Sequence, residues 1–337
     1  MLGPLIQADH RPALRVGIGL AVPGVLLLAA GRPDLLVYAV FGSFVGMYGR
    51  GQPPAVRLRQ QGWAAFGLGL AIAAGLALNA GGAPLWGIAL CSVAFAAFAS
   101  WAAERVGLSP SGPFFGIFAL GTFATLPPGE ADVRYALVIY GATAALCLLV
   151  GQLSRVNILG TRRILPASGA ARGVDAAAAR RRALGYAVAV AAASGIALLL
   201  GIGHAGWAAA GATIPLAAST LRAQAFRGAE CVVGTLLGLV LAGAVLVPEL
   251  SVTAQAVLVM WLLFPTEALM ARNYGLALGF FTPLVLLMTD LAGPAEPLSL
   301  LLDRLAGAVV GAAVGVAVAW LFAQASRCRP GSPASAD

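Results

Sequence analysis

The stretch Gln60–Ala103, QQGWAAFGLGLAIAAGLALNAGGAPLWGIALCSVAFAAFASWAA, carries no Asp, Glu, Arg or Lys. A helix rises about 1.5 Å per residue, so this stretch is about twice as long as one bilayer crossing needs. It reads as two membrane helices, with Asn79-Ala-Gly-Gly-Ala-Pro84 as the turn between them. Similar uncharged runs lie on either side. Val16–Gly31 and Leu35–Gly49 come before it, and Val106–Gly129 and Tyr135–Ser154 follow. Ala183–Leu221 is a second double run, split at Gly201-Ile-Gly-His-Ala-Gly206. Cys231–Pro248, Leu250–Thr266, Asn273–Thr289 and Leu305–Ser326 complete the set. The expected fold is an all-α polytopic membrane protein with about twelve transmembrane helices.

Composition supports this reading. Of 337 residues, 60% are hydrophobic and 10% charged, with a mean hydropathy of +0.90. Soluble domains are nearer 25% charged, so soluble enzymes and nucleic-acid-binding proteins are excluded. All 21 basic residues are Arg. A chain without Lys lacks the phosphate-binding lysine of ATP-driven proteins. Alternating the spans from a cytoplasmic N-terminus leaves three Arg outside, Arg32, Arg134 and Arg304, and the other 18 inside. The positive-inside rule then places both termini in the cytoplasm of a cell with this protein in its inner or plasma membrane.

Cys91, Cys147 and Cys231 lie in apolar runs and Cys328 in the tail, without CxxC spacing. His10 and His204 stand alone. No metal site, cofactor, catalytic triad or cleaved leader is expected.

The two halves resemble each other. Ala39-Val-Phe-Gly42 matches Ala208-Ala-Ala-Gly211, Ala13-Leu14 matches Ala183-Leu184, and Arg134 with Gly141-Ala142 matches Arg304 with Gly311-Ala312, all at offsets of 169 or 170. Six spans is an even number, so both copies enter the membrane from one side and the repeats are parallel. The expected organisation has four parts. Residues 1–154 and 183–326 are two six-helix repeats, 155–182 is an Arg/Ala-rich cytoplasmic linker, and 327–337 is a disordered tail. Gly42-x-x-x-Gly46, Gly234-x-x-x-Gly238, Gly275-x-x-x-Gly279 and Gly307-x-x-x-Gly311-x-x-x-Gly315 read as helix-packing stripes.

One region combines proline, acid, base and aromatic residues: Phe264-Pro-Thr-Glu267, Arg272-Asn273-Tyr274 and Phe281-Thr282-Pro283. Together with Arg227-x-x-Glu230-x-x-x-Gly234-Thr-x-x-Gly238 and Asp303-Arg304-x-x-Gly307, it resembles the second membrane repeat of the fusaric acid resistance (FUSC) superfamily of aromatic acid exporters. The resemblance covers about Trp207–Leu321 and extends, more distantly, to plant malate-type anion channels. It implies proton-driven efflux of aromatic carboxylates or related organic anions. The chain shows no large cytoplasmic domain of the kind many bacterial members carry.

An organic anion needs positive charge along its path, and Arg holds a carboxylate with two parallel hydrogen bonds. Arg227 and Arg272 are the candidate substrate-binding bases, with Arg57 and Arg59 as first-repeat counterparts. Asn273, Tyr274, Phe281 and Thr282 are the other substrate candidates, Tyr274, Phe280 and Phe281 for aromatic stacking. Trp207 reads as packing or an interface residue. Proton coupling needs a half-buried carboxylate. Glu267 is preferred, with Glu104 as its repeat mate. Glu230 can pair with Arg227 one turn away, which suits it less. The substrate path is expected on the axis between repeats, lined by Leu35–Gly49, Gly112–Leu126, Trp207–Thr220 and Tyr274–Leu291. Expected partners are a small organic anion and the lipid bilayer, and the sequence allows a homo-oligomer. Two alternatives share the architecture: a passive organic-anion channel and a non-transport subunit of a cell-envelope assembly.

Overall fold

The computed structural model describes residues 11–127, 133–153, 176–246 and 250–327. Among these it is all-helical. The helices of the first half are α1 (Arg11–Ala29), α2 (Leu36–Ser43), α3 (Pro54–Ala80), α4 (Leu85–Val106), α5 (Phe114–Ala124) and α6 (Val133–Leu153). Short 3-10 turns at Pro33–Leu35 and Phe44–Met47 flank α2. The second half has α7 (Ala176–Leu199), α8 (Ala205–Leu216), α9 (Leu221–Leu246), α10 (Val252–Met270), α11 (Tyr274–Ala292) and α12 (Pro297–Arg327). The boundaries follow local chemistry. Pro54 and Pro297 open helices, where a missing N–H costs nothing. Ser251 and Asn273 accept from backbone N–H groups at the starts of α10 and α11. Gly107, at φ +69, closes α4 in the left-handed conformation.

Nine of the described helices are long and apolar enough to cross a membrane, and the chain is a multi-pass membrane protein. The segments Pro33–Met47, Phe114–Ala124 and Ala205–Leu216 are shorter than the expected spans. They are also among the most buried. Every residue of α2 is buried, as are Trp207–Pro215 of α8 and most of α5 and α11. A helix enclosed by other helices need not match the hydrocarbon thickness. The surrounding helices instead expose Trp86, Val138, Leu199 and Val240, as a lipid-facing surface does.

Packing follows one scheme in both halves. α6 lies on α2 and α3, while α12 lies on α8 and α9. α5 packs on α3 and α4, and α11 on α9 and α10. Between the halves, α4 meets α7 and α10 meets α1; α5 meets α8 and α11 meets α2. Each of these contacts recurs when six is added to both helix numbers, with α1 following α12. The four segments expected at the axis are therefore the buried centre, and they meet in two pairs across the halves.

The glycine stripes are close-packing surfaces. A Cβ at Gly307 would meet Trp207 and Ala208, one at Gly311 would meet the Ala208 carbonyl, and one at Gly315 would meet Ala212 and Pro215. Gly234 and Gly238 face Gly275, Gly279 and Thr282 in the same manner. Helix backbones meet where only hydrogen fits between them.

Several boundaries differ from the sequence reading. α9 starts at Leu221, well before the expected span at Cys231, so Arg222 stands on the same helix as Arg227 and Glu230. α7 starts at Ala176, so Arg180, Arg181 and Arg182 belong to it and not to the linker. Scanning for uncharged runs truncates helices whose ends carry Arg, because a long side chain can reach water from within a helix. The rest of the expected linker, 155–175, and residues 328–337 of the tail lie outside the described residues.

The burial pattern of the two halves also follows another register than the sequence matches. Buried Ala136, Tyr140, Thr143, Ala144, Cys147 and Gly151 of α6 correspond to buried Leu300, Arg304, Gly307, Ala308, Gly311 and Gly315 of α12, an offset of 164. The sequence match of Arg134 and Gly141 to Arg304 and Gly311 pairs exposed positions with buried ones. Shorter connections in the second half shift the register helix by helix.

Candidate functional site

Two polar centres occupy the bundle. The first lies at the Arg-rich end, where α10 finishes. Glu267 is 1% exposed. Arg50 reaches it from the turn after Phe44–Met47, donating to the Glu267 carboxylate and, at 2.9 Å, to its backbone carbonyl. Gly49 and Gly51, at φ +70, flank Arg50 and let the chain turn tightly there. Carboxylate Oε2 has no hydrogen-bond partner among the described residues, and Arg15 of α1 adds positive charge within electrostatic reach. The pair therefore ties the first half to the second in a buried setting.

Glu104, expected as the counterpart of Glu267, pairs with Arg182 across the α4–α7 contact and is less buried. The buried positions of α4 and α10 correspond at an offset of 167, which sets Ser100 in register with Glu267. Each of the two acids thus pairs with an Arg of the other half, but the two do not occupy equivalent positions.

The second centre lies between α8, α9, α11 and α12. Arg227 stacks on the Tyr274 ring at 4.3 Å and stands 3.7 Å from Glu230, as the helical spacing suggested. Deeper in, Arg304 of α12 is 6% exposed and faces the Trp207 ring at 5.8 Å. Cys231 and Tyr274 are its electrostatic neighbours. Trp207 is buried and stacks on His204, with centroids 4.2 Å apart. His204 is 2.8 Å from Asp303, which also accepts from the Gly203 N–H.

The remaining candidates separate. Arg272 is exposed in the α10–α11 turn. The Asn273 side chain caps α11 by accepting from Leu276 N at 3.0 Å, so its oxygen is engaged by the fold. Phe281 is fully buried among Phe44, Phe114 and Phe118, and Phe280 is partly buried. Thr282 is buried against Gly238. Arg57 is buried and donates to the Gly151 carbonyl, while Arg59 is exposed. At the α3–α9 offset of 167, the counterpart of Arg227 is Gln60.

Sequence reasoning missed Arg50 and Arg304. Arg50 looked like a loop anchor, and Arg304 like one of the three outside bases. A signal for Arg304 did exist. It lies seven residues past Pro297, a helix-opening residue, and directly before the uncharged run Leu305–Ser326, so it falls within the same helix as that run.

A cavity of about 180 Å³ opens at the end opposite Glu267. Thr122 and Thr125 of the α5 end, His204 and Trp207 of α8, and Thr289 and Gly293 of the α11 end line it. Between the cavity and the Glu267 end stand Phe41, Phe44, Phe118 and Phe281, ring against ring. This central seam is closed by aromatic contact.

Residues 190–318 match a family model described as fusaric acid resistance protein-like. They run from α7 into α12 and include Arg227, Glu230, Glu267, Tyr274 and Arg304. No curated protein and no solved structure matches the chain.

Proposed function

We propose that the chain is a secondary transporter that exports small organic anions, aromatic carboxylates among them, across a cell membrane. The observation that carries this reading is the fusaric acid resistance protein-like match over 190–318, which falls on the half holding the second polar centre. The recurring contact scheme supports two parallel six-helix repeats, with the short central segments completing the crossings. Parallel repeats place the path on the axis between them. In this reading Arg227 and Arg272 attract anions at the cytoplasmic mouth, Tyr274 stacks beside Arg227, and the closed aromatic seam separates the two sides.

Glu267 is the proposed proton carrier. Its carboxylate is buried and paired with Arg50, the geometry a carrier needs to exchange a proton for an ion pair. Glu267→Gln should abolish uptake driven by a pH gradient in proteoliposomes while sparing exchange of substrate on both sides. Exchange needs the binding site and no net proton movement. Equal loss of both modes removes Glu267 from coupling. The same flux assay, run over a panel of organic acids, tests the transport reading itself. Current that ignores the pH gradient would indicate a passive channel, and no flux a non-transport role.

Orientation has its own test. The Arg asymmetry places the end of α12 in the cytoplasm. A reporter active only outside the cytoplasm, fused after Ser326, should be silent, and a strong signal would reverse the assignment.

A further inference from the structure

Arg304 differs from the other basic residues of the bundle. It is buried within α12, its Nε has no hydrogen-bond partner, and no acid pairs with it among the described residues. The adjacent carboxylate does not serve it, because Asp303 is turned to Gly203 and His204. A guanidinium carries five N–H donors in a planar fork, and the contact with Trp207 uses the ring face only. Two buried hydroxyls elsewhere in the second half are also unsatisfied. Thr235, one turn from Cys231 on the same face of α9, buries an unpartnered hydroxyl, and so does Thr282 of α11. An uncompensated cation inside an apolar bundle strongly favours a counterion.

We propose that Arg304 is the carboxylate-binding residue for a small organic monoanion, with the Tyr274 hydroxyl as a second donor. The inference rests on the transport reading above and locates its substrate site deep in the second half. The guanidinium fork takes the two carboxylate oxygens side by side. Trp207 borders both the 180 Å³ cavity and the guanidinium. Trp207 therefore stands between the cavity and the proposed site. The site needs one negative charge and a planar pair of oxygens, and it discriminates against neutral isosteres.

The test is equilibrium binding of 4-fluorobenzoate to the purified full chain in lipid nanodiscs, read by fluorine NMR. Wild-type protein should bind it saturably, unlabelled benzoate should displace it, and 4-fluorobenzamide should not bind. Arg304→Gln should weaken binding by about tenfold to a hundredfold, the range for losing a charged hydrogen bond. Arg304→Lys should recover part of this, because it restores charge without the fork. Tyr274→Phe should weaken binding by about threefold to tenfold. Arg32→Gln, at an exposed ion pair, should change nothing. Wild-type affinity in Arg304→Gln, or equal binding of the amide, overturns the proposal. Should Arg304→Gln fail to fold, wild-type affinity in both Arg304→Lys and Tyr274→Phe overturns it equally. Binding requires no flux, so the two readings fail separately. A chain that binds through Arg304 but moves no organic acid keeps the site and loses the transport reading. A chain that transports while Arg304→Gln binds normally loses the site alone.

Discussion

Arg50→Met is expected to lower the unfolding free energy by about 3–5 kcal/mol, the cost of removing one partner from a buried ion pair. The expectation is large because Glu267 is buried and already has one oxygen without a partner. Arg50 supplies the contact to Oε1 and also holds the Glu267 backbone carbonyl. Removing it strands a carboxylate in an apolar setting. Glu267→Gln should cost less, since a neutral amide can still accept from Arg50 and the freed guanidinium is 30% exposed. Combining the two substitutions should return part of the loss, because no buried charge then remains. Denaturant unfolding in mixed micelles measures all three variants. A loss below about 1 kcal/mol for Arg50→Met would mean that water or another base compensates the carboxylate.

Gly311→Leu should prevent assembly of the second half. An ideal Cβ at Gly311 lies 2.7 Å from the Ala208 carbonyl and 2.9 Å from the Ala212 nitrogen. Both are backbone atoms of α8, so neither side can yield by a rotamer change. Even Gly311→Ala should cost about 1–3 kcal/mol, the usual penalty for overpacking. This outweighs the gain of up to about 1 kcal/mol in helix propensity. Gly141 is the matching contrast, being exposed with open space where a Cβ would stand. Gly141→Ala should be neutral or slightly stabilising. Folded yield and melting temperature of the pair decide the matter, and equal behaviour of the two alanine variants would refute the close-packing account.

That contrast shows what the sequence determined and what it left open. The uncharged runs gave the all-helical class, the turns at Asn79–Pro84 and Gly201–Gly206, and the order of six segments per half. The spacing of glycines gave their packing role, and the three-residue spacing gave the Arg227–Glu230 contact. These properties are local or rest on total hydropathy, and lipid and water impose them on any chain of this composition. Tertiary structure decided which segments are enclosed. A leucine facing lipid and a leucine facing protein have the same hydropathy, so hydropathy did not show that α2, α5 and α8 are shorter than a crossing, although their glycines and prolines had marked these spans as central. It aligned Gly141 with Gly311, although the buried register sets Cys147 there. It paired Glu267 with Glu104, although Ser100 occupies that position. The partner of Glu267 is Arg50, 217 residues away, and the burial of Arg304 depends on how α7, α8 and α9 close around α12. Only the assembled bundle brings such groups together, because electrostatic partners inside a membrane are selected by proximity in space and leave no periodic trace along the chain.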